Sequence, residues 1–236
     1  LYRAIRFSTQ LGFKIEKSTY KAISECSKHD FKISKERIME ELSKILQSPM
    51  SYNGIQELDN FDLLNSIFQV GKFNYYELGF VKRALKDLSK FSLPVSYLLS
   101  LFYLIKHINK QDYSLKGLKQ SKKTVSDIQN VIQLYDMIYE DQPLEDTLVF
   151  LSDKSVSSLI AVLEVSLDKA KDLKRHIDPY IESWPEPYLN GKDLIELKFE
   201  DKTKYKSILN KVYGQQLTGK LASKEEALSF VSSNFK

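Results

Sequence analysis

Apolar residues recur at spacings of three and four along most of this chain, which is the period of an amphipathic α-helix. No segment alternates apolar and polar residues convincingly over the length of a strand. The 236 residues include 8 glycines and 6 prolines, so residues that interrupt helices are few. The pattern therefore predicts an all-α chain.

Local start and stop signals set the predicted helix boundaries. Ser34 is a preferred N-cap residue, Glu36 lies in the first turn behind it, and Pro49 ends that helix. Ser223 and Glu226 have the spacing of a capping box. The predicted helices are 1–11, 17–26, the segment between Ser34 and Pro49, 55–58, 76–91, 95–108, 122–139, 148–151, 156–175, one opened by Asn190, 202–212 and one beginning at Ser223. Residues 95–108 are apolar nearly all round, which predicts the central core helix.

The first helix has two unlike faces at helical spacing. Arg3, Arg6 and Gln10 share one face, and we expect the opposite face of Ala4, Phe7 and Leu11 to pack against the protein. Gly12 follows as the expected left-handed C-cap. The exposed face thus presents two guanidinium groups, which suit phosphates or the planar edges of bases.

The composition restricts the function without identifying it. The net charge of +4 and the isoelectric point near 8.8 permit nucleic-acid binding but do not require it. Cys26 is the single cysteine, so neither a disulfide within the chain nor a cysteine-rich zinc site is possible. No apolar run approaches the ~18 residues of a membrane helix, which predicts no membrane partner.

Five stretches of the chain resemble, in the same order, the bacterial-type tRNA nucleotidyltransferase and poly(A) polymerase family, the class II CCA-adding enzymes. They are Leu1-Tyr2-Arg3-Ala4-Ile5-Arg6-Phe7 with Leu11-Gly12-Phe13, Ile33-Ser34-Lys35-Glu36-Arg37-Ile38 with Glu41-Leu42 and Ile45-Leu46, Leu118-Lys119-Gln120-Ser121-Lys122-Lys123, Asn190-Gly191-Lys192-Asp193-Leu194-Ile195, and Gly219-Lys220-Leu221 with Glu225-Glu226-Ala227-Leu228. The tail departs from the family, because residues 197–205 replace its usual glycine- and proline-rich turn.

The resemblance implies an elongated all-α arrangement of neck, body and tail. We expect the neck at residues 1–50, the body at 51–177, and a linker with the tail at 178–236. The boundary before 178 rests on the segment 178–187, which holds three of the six prolines.

The resemblance also implies a function. The chain would be the C-terminal tRNA-binding part of a CCA-adding enzyme, holding the acceptor stem and elbow while a head domain adds CMP and AMP to the 3′ end. In the family, the carboxylates that hold two metal ions lie upstream of the neck, and this chain begins at Leu1 inside the neck helix. We therefore expect an upstream head domain as a partner, no catalytic or metal-binding residue here, no activity of the chain alone, and Mg²⁺ and CTP or ATP as requirements of the parent enzyme in the cytoplasm.

Candidate binding residues fall into three groups. The resemblance implies that Arg3 and Arg6 lie near the nucleotide. Alternatively, each forms a structural ion pair, and the partner of Arg6 would then be an acidic residue of the next helix. Arg37 and Glu41 match the element that braces the neck, although an exposed pair is the alternative. The lysine groups follow a phosphate backbone or are merely solvated; they are Lys116, Lys119, Lys122 and Lys123, and Lys202, Lys206 and Lys211 in the tail. The acidic residues Glu140, Asp141, Glu145 and Asp146 around Pro143 are interpreted as a solvated loop rather than a metal site.

Two alternatives remain open on the sequence. The same region of a poly(A) polymerase would carry the same motifs, because the head domain makes that distinction. A helical protein-interaction scaffold without RNA is the alternative from another class, and lysines clustered along one face would argue against it.

Overall fold

The computed structural model describes residues 1–27, 33–68, 73–108, 121–154 and 156–235. These residues form helices and connecting turns without a β-strand, which confirms the predicted all-α class. The α-helices are α1 (Tyr2–Leu11), α2 (Lys17–Cys26), α3 (Lys35–Leu46), α4 (Ser51–Asn60), α5 (Leu63–Phe68), α6 (Tyr75–Leu88), α7 (Val95–Ile108), α8 (Lys122–Tyr139), α9 (Leu144–Leu151), α10 (Val156–Glu164), α11 (Lys169–Ile177), α12 (Gly191–Glu196), α13 (Tyr205–Leu217) and α14 (Lys224–Asn234). Short 3₁₀ turns span Asp178–Tyr180 and Lys202–Lys204. None of the described helices is both long and apolar enough to cross a membrane.

The chain divides into two compact units. The first comprises Leu1–Gln133 with Ala161–Ser166, and the second comprises Leu134–Ile160 with Leu167–Lys236. The predicted division at residues 50 and 177 stays a prediction.

The core of the first unit lies around α7. Residues 96–104 of this helix are all buried, which confirms its prediction as a core helix. Phe102 stacks on Phe68 of α5 with ring centroids 4.1 Å apart, and Tyr103 meets the edge of the same cluster. Burying large aromatic rings from two helices contributes several kcal/mol, because each ring removes ~150–250 Å² from water.

The buried face of α1 differs from the predicted one. Tyr2, Ile5 and Thr9 are buried, whereas Phe7 is 45% and Leu11 56% exposed. Because Thr9 is polar, a hydropathy pattern does not identify this stripe as the buried face. The Thr9 hydroxyl is nevertheless satisfied, since it donates to the carbonyl of Ile5 at 2.8 Å.

Gly54 lies where α1, α3 and α4 approach one another closely. A Cβ at this position would lie 2.5 Å from both Ile45 Cγ2 and Thr9 Oγ1. The predicted helix at 55–58 is too short, because α4 begins at Ser51 and Gly54 lies inside it. The glycine allows the helices to approach rather than beginning a helix.

The second unit is built around α12, α13 and α14. Leu194, Ile208, Val212, Ala227 and Val231 form its buried apolar cluster.

The predicted helix 156–175 is wrong as one element, since α10 ends at Glu164 and α11 begins at Lys169. Ser166 lies in the break and donates to the carbonyl of Val162 at 2.8 Å, a local bond that competes with helix continuation.

The proline-rich segment before α12 is held against α13. Tyr213 donates to the carbonyl of Pro185 at 2.8 Å, and Tyr180 donates to the carbonyl of Leu217 at 2.8 Å. The amide of Gln216 donates to the Glu186 carbonyl at 2.8 Å. Hydrogen bonds therefore fix the path of this segment along the helix.

Candidate nucleic-acid interface

An ion pair joins α1 to α3. Arg6 Nε donates to Glu41 Oε2 at 2.5 Å, and both side chains are less than one-fifth exposed. A second nitrogen of Arg6 donates to Gln10 Oε1 at 2.7 Å, and its guanidinium lies 4.0 Å above the ring of Phe7. Because the guanidinium is engaged on three sides, its main contribution here is to fix α1 on α3.

Cations surround one exposed carboxylate beside this ion pair. Lys44 donates to Glu40 at 2.6 Å, and this hydrogen bond is the main cause of the lowered pKa of Glu40. The charges of Arg37 and Arg3 also lower that pKa, so both lie within electrostatic range of the same carboxylate. We call Arg3, Arg37 and Lys44 the arginine patch. Three cations therefore lie near the carboxylate of Glu40.

The structure thus pairs the four candidate residues selected within residues 1–50 differently from the sequence prediction. Arg6 forms an ion pair with an acidic residue, which is the alternative left open by the sequence, although that residue lies on α3 and not on α2. Glu41 accepts from Arg6, while Arg37 and Arg3 are exposed and share a surface. The roles of Arg3 and Arg6 near a nucleotide, and of Arg37 and Glu41 in bracing, stay predictions.

Sequence reasoning missed a second basic group around α2. Lys14, Lys17 and Lys21 are exposed, and the described part of the chain offers none of them a carboxylate within ion-pair distance. The i, i+4 spacing of Lys17 and Lys21 places both on one helix face, which is a signal the sequence contains.

The predicted lysine groups are only partly described. Lys122 and Lys123 are exposed in the first turn of α8, where Ser121 caps the helix by accepting from the Thr124 N–H at 3.1 Å. Lys116 and Lys119 lie outside the described residues. Whether these lysines contact RNA stays a prediction.

The tail lysines Lys202, Lys206 and Lys211 are all exposed. The predicted start of their helix is wrong, because Lys202 lies in a 3₁₀ turn and α13 begins at Tyr205. Asp201 caps that turn by accepting from the Thr203 N–H at 3.0 Å, which explains why the α-helix starts late. Lys206 and Lys211 project from a helix whose other side, including Ile208 and Val212, is buried.

A buried carboxylate connects α12 to α14. Asp193 closes a capping box by accepting from the Asn190 N–H at 2.7 Å, and it also accepts from Lys224 at 2.6 Å. The Lys224 hydrogen bond and then the backbone hydrogen bond lower the pKa of Asp193. The capping box predicted at Ser223 forms only in half, because the carboxylate of Glu226 accepts from the N–H of Ala222 and not from that of Ser223.

We predict that Asp193→Asn lowers the free energy of unfolding by ~1–2 kcal/mol at pH 7, since a hydrogen bond to a charged group is lost. A lowered pKa in the folded state means that the stabilisation is complete above the unfolded pKa, about 3.9, and disappears as the pH falls through the folded value. Urea unfolding at pH 7 and pH 3 should therefore show a parent–variant difference that shrinks in acid. Asp172→Asn, in an exposed ion pair, is the control. An equal difference at both pH values would contradict this role of Asp193.

The acidic residues around Pro143 do not form a common site. Glu145 is in the first turn of α9 and accepts from Lys220, with its side chain 17% exposed, so the interpretation as a solvated loop is wrong for this residue. Asp141 instead pairs with Lys169 at 2.6 Å. Within the described ranges no group of three histidine, cysteine, aspartate or glutamate residues could hold a metal ion.

Comparison with known proteins identifies related chains. Residues 12–72 match the family model described as a probable RNA and SrmB-binding site of polymerase A. The CCA-adding enzyme of Pediococcus pentosaceus is 28% identical over 206 residues, covering 83% of this chain and 49% of the relative. That of Staphylococcus aureus is 27% identical over 257 residues, covering 100% of this chain and 60% of the relative. The chain therefore spans about half to three-fifths of the length of these relatives.

Solved structures share the fold over the whole chain. A CCA-adding enzyme in complex with ATP superposes with a TM-score of 0.71 at 18% identity, covering 100% of this chain and 60% of that one. The Thermotoga maritima CCA-adding enzyme complexed with tRNA-CCA gives 0.68 at 19% identity, covering 100% of this chain and 60% of that one. The family model, the relatives and the fold together confirm the resemblance that the sequence motifs indicate.

Proposed function

We propose that this chain is a C-terminal helical region of a class II tRNA nucleotidyltransferase, and that it binds tRNA and holds its acceptor stem and elbow during addition of CMP and AMP to the 3′ end. The family-model match, the relatives and the shared fold support this assignment. The observation that carries the proposal is the arginine patch, where Arg3, Arg37 and Lys44 converge from two helices. A group of cations on a packed surface favours a polyanion over a neutral partner.

The packing beneath the arginine patch supports a binding role. Ile5 of α1 and Leu42 of α3 are fully buried below it, and the Arg6–Glu41 ion pair links the same two helices. The cations are therefore presented from a fixed pair of helices rather than from a loop. Arginine can bind a phosphate through two parallel N–H groups, which positions the backbone of a nucleic acid as well as attracting it.

The second unit supplies separate candidate contacts for the elbow. Lys202, Lys206 and Lys211 are exposed beside the buried cluster of α12, α13 and α14. Lysine interacts with phosphate as a point charge and reads no base, so contacts here would be independent of tRNA sequence. In the proposal, the metal-assisted chemistry with Mg²⁺ and CTP or ATP takes place in a head domain outside this chain.

We predict that replacing Lys202, Lys206 and Lys211 together by alanine weakens tRNA binding and reduces the slope of log affinity against log salt by about two to three units, because each lost phosphate contact removes slightly less than one. An acceptor-stem minihelix without the elbow should bind parent and variant alike. Fluorescence anisotropy over a salt series measures both.

The matched control is the triple alanine variant of Lys171, Lys174 and Lys192, which removes the same charge from the same unit. If the control weakens tRNA binding as much as the tail variant, net charge rather than these positions is responsible. If the tail variant has the parent's slope, the tail lysines do not hold the elbow.

A second candidate is the same region of a poly(A) polymerase, which the description of the matched family model favours, since it names polymerase A. The two candidates differ in the RNA that is held. Tighter binding of an unstructured RNA primer than of tRNA lacking its 3′ end would favour the poly(A) polymerase.

A further inference from the structure

The exposed face of α6 carries two tyrosines and two cations. Tyr75 and Tyr76 are 84% and 83% exposed, and their rings meet edge to face with centroids 5.7 Å apart. Arg83 and Lys86 are also exposed. At 100° per residue these four residues occupy an arc of roughly 100° on one side of the helix. We call them, together with Gly79 at the centre of the arc, the α6 face.

The helix beneath this face is firmly placed. Asn74 and Glu77 close a capping box, with Asn74 N–H donating to Glu77 at 2.8 Å. Val81 and Leu85 are buried on the opposite side. The exposure of the two tyrosines therefore belongs to an ordered, capped helix and not to a frayed end.

The charges of the α6 face favour a polyanion. Among the described residues neither Arg83 nor Lys86 has a carboxylate within ion-pair distance. Glu77 is buried and occupied by its capping bond, so Asp87 at the edge of the arc is the one exposed carboxylate of the helix. Lys82, beside them, donates to Gln56.

Gly79 is the second, independent observation. Glycine inside a helix is less favourable than alanine, and no steric reason for it exists among the described residues, because a Cβ here would meet only Arg83 at 3.9 Å. The contrast with Gly54, where a Cβ would clash, is direct. A glycine one helical turn beyond two exposed tyrosines leaves a flat surface that a planar group can approach closely.

We propose that the α6 face is a binding site for single-stranded RNA, in which an unpaired base stacks on the exposed tyrosines over Gly79 while Arg83 and Lys86 contact the neighbouring phosphates. Stacking of bases on aromatic rings beside a cationic track is how proteins bind single strands without reading their sequence. The proposal goes beyond tRNA stem and elbow binding and does not depend on it, because it uses other residues and a ligand without a duplex.

The test measures binding of a labelled 12-nucleotide RNA without self-complementarity to the full chain, over a salt series. Tyr75→Ala with Tyr76→Ala should weaken binding roughly 5- to 160-fold and leave the salt slope unchanged, since a stacked base contributes ~1–3 kcal/mol without charge. Arg83→Ala with Lys86→Ala should reduce the slope by about 1.4 units, because each single-strand phosphate contact contributes ~0.7.

Gly79→Ala separates binding from folding. It should raise the melting temperature, since alanine favours the helix, and yet weaken RNA binding by crowding the stacked base. Tyr139→Ala, at a tyrosine that is 62% exposed elsewhere, is the matched aromatic control and should bind like the parent. The proposal is overturned if the tyrosine variant or Gly79→Ala keeps the parent's affinity, or if Tyr139→Ala loses as much.

The outcome is distinguishable from that of the tRNA proposal. The triple variant of Lys202, Lys206 and Lys211 should bind the 12-nucleotide RNA like the parent. Loss of tRNA binding with retained oligonucleotide binding would separate the two sites, and no detectable oligonucleotide binding at low salt would overturn this proposal alone and favour a protein partner for the α6 face.

Discussion

Replacing Gly54 by alanine should lower the free energy of unfolding by ~1–3 kcal/mol, the usual cost of adding a methyl group to a filled core. The new Cβ would lie 2.5 Å from Ile45 Cγ2 and from Thr9 Oγ1, and 3.0 Å from Thr9 Cγ2. Ile45 and Thr9 are buried, so neither can move aside freely. The gain in helix propensity, at most ~1 kcal/mol, offsets only part of this clash.

Urea unfolding of the parent and of Gly54→Ala measures this difference, and Gly79→Ala is the matched control. The control makes the same chemical change in a helix but on an open face, so its free energy of unfolding should increase by up to ~1 kcal/mol. Opposite signs for the two variants would show that packing decides the effect. A neutral or stabilising Gly54→Ala would mean that α1, α3 and α4 do not approach as closely as described.

Reversing the charge of both arginines in the arginine patch, Arg3→Glu with Arg37→Glu, should weaken tRNA binding at least a hundredfold at ~50 mM salt, since each phosphate contact contributes roughly tenfold there. Both residues are exposed, so the substitutions should leave the melting temperature within a few degrees of the parent. The measurement is the dissociation constant for tRNA, with circular dichroism to confirm folding.

Lys171→Glu with Arg175→Glu is the control for total charge. These residues are exposed and already paired with Asp168 and Asp172, and their reversal also changes the formal net charge from +4 to 0. We expect the control to weaken binding far less than reversal of the arginine patch. Equal weakening would show that tRNA responds to net charge and that the convergence of Arg3 and Arg37 has no part in binding.

The helical class followed from the sequence because helical periodicity dominates a chain with few glycines and prolines. Ser34 caps α3 as expected, and Gly12 ends α1 with a φ of 70°. These features are local, since each depends on residues within one turn. Local rules also identified α7 as a core helix, because an all-apolar helix has no face for water.

Features that depend on another element could not be predicted in the same way. The buried face of α1 includes Thr9, whose hydroxyl is satisfied within its own helix, and a hydropathy pattern counts it as polar. The role of Gly54 depends on the side chains of two other helices, and the partner of Arg6 lies 35 residues away. The sequence suggested Arg3 and Arg37 of the arginine patch by resemblance but did not suggest Lys44. Only the packing of α1 on α3 shows that Arg6 is engaged while Arg3 and Arg37 are exposed.

The most direct test of tRNA binding is the affinity of the chain for a tRNA lacking its CCA end, measured from ~50 to 200 mM salt. We expect detectable binding at the lowest salt, and a linear fall of log affinity with a slope of about −3 to −5, as three to five phosphate contacts predict. Binding that is absent at ~50 mM salt, or that does not change over the series, would contradict the proposed function and favour a helical scaffold for a protein partner.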